Sequence, residues 1–277
     1  MINNLSLDKE EQQIASARTN LLRKVVAASA SRAPELPLPI YVTIKAGTFP
    51  VAESRLFGDV RPTVDRVTIT RDFEIGKTKV TVEQFAAFVK ATNYAITGQG
   101  AQGAKELLAR LANPDEQNHP VNFVNRDQDA KTYCEWLDEV EPRYVHFLPT
   151  AAQWELATRG QEGREFPWVG EWDPDKVVGS HNSSGDTKPV DFTQCATLEG
   201  MRDLGNLLEW TSTWYGQYDP TDTTDPHGPE NGGYAELRGG SWGYDHAGYF
   251  RSAYRGSYGP LYRSGYYGFR VARTKKQ

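Results

Sequence analysis

The sequence predicts an α+β fold of short strands, a few short helices and a loop-rich second half. Three observations carry that expectation. β-branched, alternating segments begin only at Ile40. Three amphipathic segments with capping residues follow between Thr81 and Gly160. Beyond Gly160, Gly, Pro, Asp, Ser and Thr dominate to about residue 235, and only the apolar run 205–215 (GNLLEWTSTWY) interrupts them. A chain with so few long elements must organise its core with large side chains. Aromatic residues are 12% of the 277 and include seven Trp and fourteen Tyr.

Taken in order, residues 7–31 read as a helix. Leu7, Ile14, Leu21, Leu22, Val25 and Val26 recur at helical spacing among charged residues, and Ser6 starts an N-cap region. The Pro-rich run 33–39 (APELPLP) reads as a linker, so 1–39 is expected to be an N-terminal helix and linker, and 40–277 the main domain. That helix is either a packing arm on the main domain or a docking helix for a partner or a second copy. Residues 41–44 and 67–70 alternate as strands. Residues 81–91 form a helix capped by Thr81, with Gln84 at the capping-box position. Residues 127–138 form a second, burying Ala130, Tyr133, Cys134 and Leu137. Residues 150–160 form a third, with Thr150 as cap and Gly160 as stop.

Composition excludes several functions. The net charge is −5, whereas general nucleic-acid binding needs a basic surface to neutralise phosphates. No apolar run is long enough to span a bilayer, so no membrane insertion is expected. The N-terminus, MINNLSLDKEEQQ, is polar and acidic where a signal peptide would be basic and then apolar. The expected location is the cytoplasm, or a phage or other particle. Cys134 and Cys195 cannot make a disulfide scaffold and are expected to be reduced, buried thiols. No phosphate loop, nucleophile elbow or metalloprotease motif is present.

Four segments together carry a specific resemblance: 73–94 (FEIGKTKVTVEQFAAFVKATNY), 119–160 with its HPV and LPTAAQWELATRG motifs, 205–215 with GN and EW, and 237–273 with RGGSW and YGFRVAR. In order and spacing they resemble the formylglycine-generating enzyme (FGE), or sulfatase-modifying-factor, family over residues 40–273. The resemblance implies a C-type-lectin-like fold of the FGE subclass: a small twisted antiparallel sheet, a few helices and long irregular loops. Trp154, Trp168, Trp210 and Trp242 are then expected to supply buried area. Arg159, Arg238, Arg251, Arg255 and Arg270 are expected to pair with Glu155, Glu209 and Asp203.

The same resemblance separates this chain from the family's oxidases. Their chemistry uses a copper-binding cysteine pair in the C-terminal segment, which suits a soft cuprous ion. Here that segment, SWGYDHAGYFRSAYRGSYGP, has no cysteine. A second branch, the sulfoxide synthases, holds iron with histidines of an extra domain. The five His of this chain (119, 146, 181, 227 and 246) are scattered and read as non-ligands. No cofactor is therefore required. A structural calcium ion is the one metal the resemblance admits, through the Gly205 and Leu207 carbonyls and Glu209, with Asn182 or Asp186 for a second site. Against it, the stretch 200–204 runs one residue short and places an Arg where a ligating Asn would fall.

Within 237–273, framework motifs alternate with positions of another character: Gly243, Tyr244, Asp245, His246, Tyr249, Gly256, Ser257, Tyr258, Gly259, Leu261, Tyr262, Ser264, Gly265 and Tyr266. Tyr supplies rigid amphipathic area, and Ser and Gly supply adaptability, as in antibody paratopes. No Lys, Glu, Gln, Met or Trp occurs from 243 to 266. Those five cannot be encoded by codons ending in C or T. Asn codons (AAC) randomised at their adenines yield Tyr, Ser, Gly, Asp, His and Leu but none of the five. The pattern resembles the variable region of diversity-generating retroelement proteins, which implies that these positions are exposed and bind a protein or glycan ligand. The expected function is non-enzymatic ligand binding. The alternative is an FGE-like oxidoreductase of another chemistry, with a site around Asp245, His246 and Glu209.

Overall fold

The computed structural model describes residues 36–51, 65–96, 101–217 and 219–277. The helix expected over 7–31 lies outside the described residues. Residues 38–277 fold as one unit.

The N-terminal strands are short. β1 (Tyr41–Ile44) and β4 (Phe73–Gly76) pair antiparallel, while β2 (Gly47–Pro50) and β3 (Arg66–Ile69) form a separate hairpin. Helix α1 (Val82–Thr92) starts at Thr81, whose side chain accepts from the Gln84 N–H while the Gln84 side chain returns to the Thr81 N–H. It buries Val82, Phe85 and Phe88. Helix α2 (Ala101–Ala112) follows; its Leu107 is buried and its Leu111 packs against the core. A wide turn at Arg126–Ala130 leads into α3 (Lys131–Val140), and Ala130, Tyr133, Cys134 and Leu137 are all buried there. β5 (Tyr144–Phe147) precedes α4 (Ala151–Arg159), which carries a second capping box, from Thr150 to Gln153, and ends at Gly160.

From Gly160 to β6 (Leu208–Trp214) the chain is loop, apart from one short 3-10 turn at Pro174–Lys176. The last strands are β7 (Ala235–Arg238), β8 (Arg255–Tyr258), β9 (Tyr267–Phe269) and β10 (Ala272–Lys275). One four-stranded sheet runs β1-β4-β10-β5 and is antiparallel throughout. A second runs β8-β7-β6-β9, with β6 and β9 parallel. In place of the expected single antiparallel sheet there are two four-stranded sheets and the β2-β3 hairpin, with one parallel pair. Parallel neighbours need a long crossover, and β7, β8 and the excursion 259–266 supply it.

Two apolar clusters hold these layers. One packs Phe85, Phe88, Tyr133, Leu137, Trp210 and Phe269 between the helices and the second sheet. The other packs Ile44, Phe49, Ile75, Leu156, Trp168 and Phe250 under the loops. Among the described residues, no helix is long and apolar enough to cross a membrane.

Candidate functional site

In the C-terminal segment the two kinds of residue differ in burial, although Ala247, Arg251, Tyr254 and Pro260 of the framework are half-buried. All fourteen positions from Gly243 to Tyr266 named above are partly or fully exposed. Between them Phe250, Ser252, Ala253, Arg255 and Arg263 are buried. Tyr258 is 40% exposed, Tyr262 47% and Tyr266 40%. The Tyr258 and Tyr262 rings lie 4.3 Å apart, and both rest on Tyr267, which packs edge-on against buried Trp210. Burial pushes the Tyr267 phenol up, so it serves as an uncharged floor.

The five tyrosines among the fourteen positions are not equally exposed. Tyr244 and Tyr249 are half-buried and stack at 4.3 Å. Tyr244 packs against both apolar clusters, and burial raises its phenol. Tyr266 stacks on Trp242 at 4.6 Å, and the Trp242 indole donates to the Gly265 carbonyl at 2.8 Å. Trp242 is half-buried, so it supplies less buried area than Trp154, Trp168 and Trp210, and it supports the face. His246 accepts from the Gly248 N–H and caps the turn Ala247–Phe250.

Space at the glycines follows the same division. A Cβ at Gly259 would meet nothing within 4 Å, and one at Gly256 would make ordinary contact with Leu237. A Cβ at Gly243 would push on the Tyr266 ring, which can move. At framework Gly240 it would overlap the Phe250 ring at 2.3 Å, and at Gly268 the Val121 carbonyl at 2.8 Å.

Tyr258, Leu261 and Tyr262 line an open concavity of about 610 Å³ together with Tyr234, which is 60% exposed. Tyr234 was not anticipated, because it precedes the segment of alternating composition. Its signal is an aromatic residue directly before the RGGSW strand. Arg263 also borders the concavity, but its guanidinium turns inward to pair with Asp129 and the Phe123 carbonyl. The exposed surface of the concavity is consequently aromatic and uncharged.

Beneath the face lies a layer of buried charge. Arg270 places Nε and Nη2 each 3.0 Å from the Glu209 carboxylate, and the Trp154 indole donates to it at 2.7 Å. Burial pushes Glu209 up, but Arg270, Lys79 and these hydrogen bonds outweigh it and hold the carboxyl below its usual value. Glu236 takes Arg238 and Arg255, each at 2.7 Å, and these likewise outweigh burial. Glu155 takes Arg159 and Arg238. The expected pairing is corrected in two respects. Glu236, buried in β7, is the partner of Arg255, and Arg251 pairs with exposed Glu165. The Asp203 carboxylate faces Lys79.

The candidate calcium ligands do not form a metal site. The Gly205 carbonyl accepts from Lys79 Nζ at 2.8 Å, and Glu209 Oε1 lies 3.3 Å from the same ammonium. The Leu207 N–H turns back onto the Gly205 carbonyl. Asn182 spans its own loop, accepting from the Gly179 N–H and donating to the Val177 carbonyl. Asp186 is clamped by Arg110. The oxygens of Gly205, Glu209, Asn182 and Asp186 are thus each engaged by a cation or an N–H. Among the described residues, no group of three His, Cys, Asp or Glu side chains could hold a metal.

Nor do the alternative's groups converge. Asp245 and His246 are exposed, while Glu209 points inward to Trp154, Arg270 and Lys79. Cys134 is buried in α3 and Cys195 is half-buried in the long loop; both are free. Burial pushes both thiols up, away from the thiolate that copper binding or nucleophilic attack requires.

Comparison with known proteins places this geometry. Residues 26–275 match the model of the sulfatase-modifying factor enzyme 1-like domain, FGE-sulfatase. The formylglycine-generating enzyme of Streptomyces coelicolor is 29% identical over 287 residues, covering 83% of this chain and 88% of that one. The solved structure of PvdO from Pseudomonas aeruginosa superposes with a TM-score of 0.70 at 25% identity, covering 85% of this chain and 94% of that chain. Treponema denticola variable protein 1 superposes at 0.65 with 22% identity, covering 84% and 94%, and shares the fold.

Proposed function

The chain belongs to the sulfatase-modifying factor enzyme 1-like domain family, and from that premise we propose that it is a non-enzymatic binding protein with a diversified C-terminal face. One observation carries the reading. None of the fourteen positions of paratope-like composition is buried, whereas six of the ten residues threaded between them are, and Ala247, Arg251, Tyr254 and Pro260 are half-buried. A segment varied by adenine-directed mutagenesis needs this separation, because change at the face must leave the framework intact. The fold fits such use, and Treponema denticola variable protein 1 has it.

Binding rests on Tyr258, Tyr262 and Tyr266 as aromatic anchors, with Asp245, His246, Ser257 and Ser264 as polar tuning. An open, uncharged aromatic concavity suits a protein or glycan ligand rather than a small cofactor. The segment 7–31, which the sequence reads as a helix, is proposed for partner or self-association, and the protein for the cytoplasm or a particle.

The test is the gene's own neighbourhood. A near-copy of the coding segment for residues 237–277, differing mainly at adenines and lying beside a reverse transcriptase gene, is the expected finding. An intact flank with no such repeat contradicts the proposal.

The second reading is an FGE-like enzyme, favoured by the 29% identity to a formylglycine-generating enzyme over most of both chains. Metal analysis of purified protein separates the two. Stoichiometric copper or iron supports the enzyme.

A further inference from the structure

The loop 203–206, which leads into β6, closes around a single buried ammonium. Lys79 lies between β4 and α1, and its side chain is 1% exposed. Its Nζ donates to the Asp203 carbonyl at 2.5 Å and to the Gly205 carbonyl at 2.8 Å. Asp203 Oδ2 lies 3.4 Å away and Glu209 Oε1 3.3 Å away. Asp203 Oδ2 is buried and has no hydrogen-bond partner; the Lys79 ammonium and, more weakly, Arg270 are the positive charges that favour it. The loop adopts the left-handed region at Asp203 (φ 57°), Gly205 (φ 71°) and Asn206 (φ 67°). Such backbone is sparsely populated and persists only where its surroundings over-determine it. At Gly205 a Cβ would also strike the Val178 carbonyl at 2.5 Å. The charges balance: Asp203 and Glu209 face Lys79 and Arg270.

We propose that Lys79 is a built-in cation, whose ammonium fills a four-oxygen cage and makes the loop before β6 independent of any metal ion. The donor set is entirely oxygen, two carbonyls and two carboxylates, which is the chemistry of a hard cation. A divalent ion cannot share the cage with the ammonium. Removal of the ammonium leaves two buried carboxylates facing Arg270 alone, in a cavity lined by oxygen. The inference does not depend on the ligand-binding proposal, because the cage faces inward and includes none of the fourteen positions of the face.

The experiment compares the full chain with Lys79→Ala and Lys79→Met, with calcium chloride as the probe. Thermal unfolding is followed in EDTA and in millimolar calcium, with potassium chloride at matched ionic strength as control. The wild type is expected to unfold at the same temperature in all three conditions and to show no calcium heat by calorimetry. Lys79→Ala is expected to unfold at a lower temperature in EDTA, to recover in calcium but not in potassium, and to bind calcium with a stoichiometry of one. Lys79→Met, whose side chain fills the space without a charge, is expected to be weakened and not rescued. Calcium binding by the wild type overturns the proposal. So does a Lys79→Ala protein that calcium neither binds nor restores, or one as stable as the wild type in EDTA. If Lys79→Ala folds in no condition, the wild-type titration alone decides.

Discussion

Tyr262 and Arg263 are consecutive, yet the Tyr262 ring is exposed while the Arg263 side chain is sealed against Asp129. The same contrast runs along the whole C-terminal segment. Its outer region is a tyrosine surface whose rings mostly touch one another. Its inner region is a set of buried guanidiniums, each bound to a carboxylate from another element. Exposed side chains away from special features change stability little, whereas a buried ion deprived of its partner is strongly destabilising. One stretch of chain therefore combines positions open to change with positions closed to it. What separates them is the partner each side chain meets.

The largest expected effect is on the inner region. Arg270→Met leaves Glu209 facing Lys79 alone, and Arg263→Ala leaves Asp129 buried with Tyr94 and backbone donors. Each is expected to cost about 3–5 kcal/mol, measured by urea unfolding. A loss under about 1 kcal/mol in either variant would mean that the charged layer does not hold the segment.

A smaller effect appears in acid. Glu209 and Glu236 have folded values held below the ordinary 4.5. Their contribution is fully present above that value and is lost as pH falls through the lower folded values. Asp203 acts in the opposite sense. Burial raises it above 3.8, so it weakens the fold at neutral pH, and acid relieves that weakening as pH falls through its raised value. The contribution of the two glutamates is expected to fade as pH falls below about 4.5. Glu209→Gln is expected to be weaker at neutral pH and to decline less steeply. An acid profile unchanged by Glu209→Gln contradicts the assignment.

Glycines sharpen the comparison next. Gly268→Ala places a methyl against the Val121 carbonyl and Leu207 and is expected to cost about 1–3 kcal/mol. Gly259→Ala meets open space and is expected to change stability by less than about 0.5 kcal/mol. Equal costs would remove the distinction between face and framework. The smallest effect for its size is expected from Tyr258→Ala with Tyr262→Ala. Their mutual ring contact and their packing on Tyr267 are worth about 1 kcal/mol, and the double variant is expected to stay folded by near-ultraviolet circular dichroism. Unfolding of the double variant would make these rings core.

Much of this contrast was legible in the sequence, because local chemistry produces it. Thr81 with Gln84, and Thr150 with Gln153, specify helix starts through reciprocal hydrogen bonds between near neighbours. The alternation of Tyr, Gly and Ser with Arg and Phe picked out positions none of which is buried. What was not legible depends on distant partners. The segment 101–112 was not recognised as a helix; among its described side chains Leu107 is the buried one, and it meets residues far along the chain. The burial of Glu236 depends on Arg255, which reaches it from β8. Lys79 was missed because a lysine next to a strand reads as surface until Asp203, Gly205 and Glu209 fold around it. The same fold explains why Gly205 and Glu209, two of the expected calcium ligands, are engaged with an ammonium.

The most direct test of the account is a saturation scan of residues 239–270 in a displayed library, sorted for folded protein with a conformation-dependent antibody against another surface. The account predicts broad tolerance at Gly256, Ser257, Tyr258, Gly259, Tyr262 and Ser264, and strong intolerance at Gly240, Phe250, Arg255, Arg263, Gly268 and Arg270. Intolerance at Tyr258 and Tyr262 as strict as at Arg263 would contradict it.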